Sequence, residues 1–189
     1  TGQETMEVLN ASFRMPKEEF NKDLRRLIDD LKAEGKGHKC RARVMLIGSV
    51  MTNSEFVKSI EELDTMVVTD ELCTGTRYWS DPVILDGKEP LRAISERYLN
   101  NFPCARMYPS DNRFNRIIQL ARDFRVDGIL SQIIRYCVSY AHDVPLLSDR
   151  LKKEGIPLLS LDVEYGTSGS GQIRTRVQAF LEMLEARQK

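Results

Sequence analysis

The chain alternates between short, nearly continuous apolar runs and longer stretches in which apolar residues return every three or four positions. Four runs stand out: "RARVMLIGSV" at 41–50, "TMVVTDEL" at 65–72, "DGILSQIIRY" at 127–136 and "IPLLSLDVEY" at 156–165. Apolar runs of this length predict strands buried on both faces. The stretches between them carry helical periodicity. "TNSEFVKSIEEL" follows the first run, with Thr52 and Glu55 spaced as a capping box. "EPLRAISERYLNNF" and "NRFNRIIQLARDF" predict two helices separated by the Pro-containing turn "PCARMYPSD". "DVPLLSDRLKKEG" predicts a helix with Asp143 as N-cap and Gly155 as its stop. In "GQIRTRVQAFLEMLEARQ", residues Ile173, Val177, Phe180, Leu181 and Leu184 form one apolar stripe. Ahead of the first strand, "MPKEEFNKDLRRLIDDLKAEGKG" sets Phe20, Leu24, Leu27, Ile28 and Leu31 at helical spacing, with Pro16 suited to a first turn and Gly35 and Gly37 to the exit.

Strand and helix in alternation predict an α/β fold: a three-layer αβα sandwich around a four-stranded parallel sheet, with right-handed crossovers. The order 2-1-3-4, flavodoxin-like, is favoured. Residues 1–41 form a helical lead-in or connector, and residues 42–189 the α/β domain. Ligands of such sheets gather beyond the carboxyl ends of the strands, where the strand order reverses. Four loops occupy that edge: "GSVMTNS", "DELCTGTRYWSD", "RYCVSYAHD" and "EYGTSGSGQ". Cys73 and Cys137 both fall on it.

Composition narrows the function classes. The 189 residues, 41% of them hydrophobic, suffice for a full core without metal or disulfides. With 28 basic and 28 acidic side chains there is no electrostatic case for nucleic acid or an anionic membrane as partner. No apolar run approaches the roughly 20 residues of a membrane span, and "TGQETMEVLN" lacks the plan of a signal peptide, so the cytoplasm is the expected compartment. The opening Thr1-Gly2, without an initiator Met, suggests a piece of a longer protein.

Cys40, Cys73, Cys104 and Cys137 lie more than thirty residues apart, with no CxxC and no Cys/His cluster of zinc-ligand spacing. His38 and His142 have no ligand-spaced partners, and no GxSxG elbow points to hydrolysis. "YGTSGSGQIRTR" runs a glycine-rich loop into a helix, which offers free N–H groups and a positive dipole end with Arg174 and Arg176 nearby. It matches neither a P-loop nor GxGxxG. Gly171, Gln172 and Arg174 are the residues there that could meet a phosphate or shape a site, or the loop is simply a turn capped by Ser170. "DELCTGTRYW" gathers a carboxylate pair, a thiol, an Arg and two aromatics; its acidic residues serve acid–base work only if burial or a neighbour moves a pKa, and otherwise the stretch is a packed loop anchored by Trp79. Cys137, at the end of the third strand, is either a small buried hydrophobe or a ligand.

Taken together, "VMLIGSVMTNSEFVKSIEELDTMVVTDELCTGTRYWSDPV", "DGILSQIIRYCVSYAHDVPLLSDRLKKEGIPLLSLDVEY" and "GQIRTRVQAFLEML" resemble the C-terminal half of the 2-hydroxyacyl-CoA dehydratase D-component family, which also includes benzoyl-CoA reductase subunits. The likeness runs from Arg43 onward, and "ASFRMPKEEF" is similar to the family's helical connector. The resemblance implies a heterodimer of related subunits, each built of two α/β domains and each holding an iron-sulfur cluster, commonly 4Fe-4S, by three cysteines. Two of these belong to the N-terminal domain. The third, in a stretch like "RYC", maps onto Cys137, where thiolate sulfur suits iron. The resemblance further implies radical dehydration of a 2-hydroxyacyl-CoA to the 2-enoyl-CoA, started by an ATP-hydrolysing iron-sulfur activator that delivers one low-potential electron. The sequence departs from the family in lacking the N-terminal domain, and Cys40, Cys73 and Cys104 do not stand in ligand contexts. The fragment alone is therefore expected to be colourless and inactive. Reduction of an aromatic acyl-CoA ring, a non-catalytic electron-transfer or assembly paralogue, and a flavin-binding flavodoxin-like domain remain as alternatives.

Overall fold

The computed structural model describes residues 1–35, 37–100, 104–164 and 171–188, with Gln188 described by its backbone alone. Strands β1 (Ala42–Gly48), β2 (Thr65–Glu71), β3 (Gly128–Ile134) and β4 (Leu158–Val163) form one sheet. All pairs are parallel, in the order β2-β1-β3-β4, as the sequence predicts. The helices are α1 (Gly2–Ser12), α2 (Lys17–Glu34), α3 (Ser54–Glu61), α4 (Thr76–Trp79), α5 (Pro90–Asn100), α6 (Asp111–Asp123), α7 (Val138–Lys153) and α8 (Gly171–Gln188).

The period of two along the central strands divides the core between two faces. Val44, Leu46, Leu130 and Leu161 point to one face, where Met6 of α1, Phe56 and Ile60 of α3, and Val177 and Leu181 of α8 cover them. Met45, Ile47 and Ile129 point to the other, under Ile117 of α6 and Leu147 and Leu151 of α7. Each such side chain, withdrawn wholly from water, contributes about 1.5–3 kcal/mol. Close approach is required at Gly128, where an added Cβ would stand 2.8 Å from the Phe180 ring of α8.

Helix α1 carries a signal that the periodicity analysis passes over. Thr1 accepts from the Glu4 amide while the Glu4 side chain reaches back, a capping box. The helix start is fastened to the body by Glu61, which accepts from the amides of Gly2 and Gln3 at 2.7 and 3.1 Å. Helix α2 ends at Gly35 in the left-handed region, as expected.

Three local expectations are corrected. The cap of α3 is Asn53 rather than Thr52: its side chain accepts from the Glu55 amide at 3.1 Å, and the Thr52 carbonyl instead receives Asn10 of α1. Asp143 is not an N-cap. Helix α7 begins five residues earlier and runs through Pro145, because Tyr140, Val144, Leu147 and Leu151 continue a single buried stripe. The loop after β2 is packed, but its anchor is Arg77, which is wholly buried; Trp79 is 37% exposed and sits against Phe13, Phe20 and Tyr78.

Candidate functional site

The carboxyl edge of the sheet is built around buried charges that a β-bulge brings there. In the β1–β2 ladder Val44 pairs with Val67 but Met45 pairs with Thr69, so Val68 is the extra residue. The slip reverses the phase of the end of β2. Glu71 therefore lies opposite Ile47 and faces the α6–α7 side, while Asp70 faces the α1 side.

Helix α4 delivers Arg77 to this carboxylate. The turn before it is fixed by Asp70, which accepts from the amides of Leu72 and Thr76 at 3.0 and 2.9 Å. The Arg77 Nε donates to Glu71 Oε1 at 2.6 Å and its Nη2 to Glu71 Oε2 and, at 3.0 Å, to the Glu71 carbonyl. Neither side chain is exposed at all. Burial weighs against the Arg77 charge, yet the hydrogen bonds and charge of Glu71 prevail and hold the guanidinium above its usual value. Burial pushes the Glu71 carboxyl up, against the bonds and charge of Arg77.

From this pair the network spreads to the ends of two more elements. Arg77 Nη2 donates to the Tyr140 hydroxyl at 2.8 Å, and that hydroxyl donates to the Gly48 carbonyl at 2.6 Å. Gly48 has φ of 143°, and a Cβ there would stand 2.1 Å from the Gln132 carbonyl of β3, so glycine is required. Arg113 of α6 pairs with Asp143 of α7, and its Nη1 lies 3.8 Å from Glu71 Oε2. Arg77 Nη1 donates to Cys73 Sγ at 3.1 Å, while burial pushes the Cys73 thiol up against the Arg77 charge. Beside the network, a cleft of about 310 Å³ is lined by Cys104, Tyr108, Asn112, Arg113 and Arg116 among others.

Cys137 stands at the same edge. The chain leaves β3 through Arg135 and Tyr136, the latter with φ of 71°, and enters α7 with Cys137 as the N-cap residue, its thiol making no cap bond. The side chain is partly buried against the cluster of Ile133, Tyr140 and Val144. It is thus at the rim and not in the centre of the core. Cys40 is placed before β1, at the opposite end of the sheet, and burial raises its thiol. His38 and His142 are exposed.

Gly171 and Gln172 are exposed at the start of α8, and the Arg174 guanidinium is held by Glu62 at 3.1 Å. Gly169 and the proposed cap Ser170 lie outside the described residues. Among the described residues no group of three or more His, Cys, Asp or Glu side chains is arranged to hold a metal ion. The edge carries two free thiols, Cys137 after β3 and Cys73 after β2, the latter engaged by Arg77.

From sequence Glu71 reads only as one of the carboxylates of "DELCTGTRYW", and the buried residues Arg113, Tyr140 and Asp143 do not read as part of a site. For these three a signal existed. Arg113 is in phase with Ile117 and Ala121, and Tyr140 and Asp143 with Leu147 and Leu151, so two charged side chains occupy apolar stripes.

This parallel α/β domain, with a free cysteine at the mouth of its third strand, is matched over residues 1–184 by the family described as 2-hydroxyglutaryl-CoA dehydratase, D-component. The chain belongs to that family. A protein of Escherichia coli strain K12 named as a dehydratase subunit, YjiM, is 28% identical over 183 residues, which is 94% of this chain and 47% of the relative. The (R)-phenyllactyl-CoA dehydratase beta subunit of Clostridium sporogenes is 26% identical over 184 residues, again 94% and 47%. The lactoyl-CoA dehydratase subunit beta of Anaerotignum propionicum is 25% identical, over 94% of this chain and 48% of its own. The chain thus spans about half the length of the curated relatives it matches. No helix among the described residues is long and apolar enough to cross a membrane.

Proposed function

We propose that the chain is the C-terminal lobe of an iron-sulfur subunit of a cytoplasmic 2-hydroxyacyl-CoA dehydratase, a lyase that removes water from a 2-hydroxyacyl-CoA to give the 2-enoyl-CoA. The observation that carries this reading is the position of Cys137: a free, partly exposed thiol at the carboxyl edge of a parallel sheet, in a chain of this family.

In this reading Cys137 holds one corner of a 4Fe-4S cluster, and the remaining ligands come from a second lobe. A bound cluster supplies low-potential one-electron chemistry. The residues of this chain do the rest by placement. Ile133, Val144 and the Tyr140 ring screen one side of the sulfur from water. The positive end of the 16-residue helix α7 lies at the residue that carries negative charge when bound to iron. Gly171 and Gln172, at the start of α8, present a helix N-terminus to a phosphate of the acyl-CoA or shape the site, with Arg174 one turn on. The partners are a homologous second subunit and an ATP-dependent iron-sulfur activator.

The test is anaerobic reconstitution of the longer subunit with its partner and activator, followed by conversion of a 2-hydroxyacyl-CoA with ATP and a reductant. Cys137→Ser is expected to abolish both the cluster absorbance and turnover. The 189-residue chain by itself is expected to stay colourless. A stoichiometric cluster on that chain, or full cluster content in Cys137→Ser, overturns the reading.

A further inference from the structure

We infer that the Tyr140 hydroxyl is a positioning group for Cys137: it bolts the first turn of α7 to the ends of β1 and β2 and so fixes the direction in which residue 137 presents its sulfur. The inference rests on the ligand role of Cys137 proposed above.

Tyr140 lies three residues beyond Cys137, one turn along the same helix face. Apart from the apolar packing of Tyr140 and Val144 on Ile133, the polar ties of that turn are few. The Cys137 side chain makes no cap bond, and the residue before it is strained, because Tyr136 is a non-glycine residue at φ of 71° whose side chain is 92% exposed. Strain of this kind persists only where the surroundings over-determine it. The local bonds are Cys137 N to the Ile134 carbonyl at 2.9 Å, Ala141 N to the Cys137 carbonyl at 3.0 Å and Arg106 Nε to Ser139 Oγ at 3.3 Å, the last of them exposed.

The Tyr140 hydroxyl instead reaches the most fixed atoms of the edge. It donates to Gly48, whose backbone is pressed against Gln132, and it accepts from Arg77, which Glu71 holds on two sides. One hydroxyl thereby ties three elements to the turn that carries the sulfur. The geometry also supplies a reporter, because the Ala141 amide donates to the Cys137 carbonyl at 3.0 Å and exchanges only when that turn opens.

The experiment compares Tyr140→Phe, which keeps the ring, with Val144→Ala, which loosens the same apolar cluster but leaves the hydroxyl in place. In the 189-residue chain, Tyr140→Phe is expected to speed exchange at Ala141 by about tenfold or more while Leu130 in β3 changes little. Val144→Ala is expected to change the two amides to a similar degree. In the cluster-loaded longer subunit, Tyr140→Phe is expected to keep the cluster but shift its electron paramagnetic resonance spectrum, whereas Cys137→Ser loses the cluster. If Tyr140→Phe does not fold, exchange in the unmodified chain decides: an Ala141 amide that exchanges like a frayed helix end rules out the bolt. Retention of the cluster in Cys137→Ser defeats the ligand role and this inference with it. Loss of the cluster in Cys137→Ser, with unchanged exchange and spectrum in Tyr140→Phe, defeats the positioning role alone.

Discussion

Arg77 illustrates how one side chain at the sheet edge acts on several others. Its guanidinium donates to both oxygens of the Glu71 carboxylate, and both side chains are fully buried. Arg77→Met leaves that carboxylate in the interior and is expected to cost about 3–5 kcal/mol, read as a shift in the urea midpoint. The loss should depend on pH. Without Arg77, burial is opposed only by the charges of Arg113 and Arg116, and it raises the folded value of Glu71 further above the unfolded one, which is about 4.3. A carboxyl raised in this way contributes its stability below the unfolded value and loses it as pH rises through the folded value. The gap between Arg77→Met and the unsubstituted chain should therefore be wider at about pH 8 than at about pH 5; a gap that narrows toward alkaline pH would contradict the assignment. Replacing both partners by Met is expected to recover part of the loss. The sequence does not disclose this pair, for a specific reason. Strict alternation from Val67 places Glu71 on the α1 side, and only the extra residue Val68 turns it toward Arg77 and Arg113. A bulge of one residue has no signature in apolar periodicity. The position of Cys137, by contrast, follows from where the apolar run of β3 ends.

At the scale of elements, the strands and their order are legible because continuous apolar runs leave few alternatives to a buried parallel sheet. Helix α7 shows where such reasoning yields. Pro145 with Asp143 two residues before it has the pattern of a helix start, and a proline inside a helix removes a hydrogen bond and costs about 3 kcal/mol. Packing reverses the decision, since starting the helix at Val138 buries Tyr140 and Val144 against Ile133 and brings Asp143 to Arg113. Pro145 itself is exposed. Pro145→Ala is therefore expected to restore the bond to the Ala141 carbonyl without loss of packing, and to raise stability by about 1–2 kcal/mol after allowance for the freer unfolded chain. A lowered urea midpoint would show that the proline holds a bend the fold needs. At α3 the cap is likewise displaced by one residue from the local pattern, to Asn53, while the Thr52 carbonyl takes a bond from Asn10 of α1 that no local window contains.

For the whole molecule these local choices amount to a gradient of stability from the sheet outward. Strands β1 and β3 are covered on both faces, and Val44, Met45, Leu46, Ile47, Ile129 and Leu130 have no exposed surface. Helix α1, although it precedes the sheet by thirty residues, shares that core through Met6 and through its bonds to Glu61. Helix α2 does not: Phe20 is its one buried residue, and Leu27, Ile28 and Leu31 of its apolar stripe are 39%, 40% and 58% exposed. With one buried residue and no side-chain bond at its Pro16 cap, α2 draws little from packing and rests on its helix formers and its Gly35 exit. Amide exchange is expected to separate the two regions. The strands β1 and β3 should exchange only through global unfolding, while the second half of α2, beyond Leu24, should open locally and exchange at least about tenfold faster. If α2 proved as protected as β1, the first half of the chain would be part of the same cooperative unit, and the order of stabilities inferred from burial would be wrong.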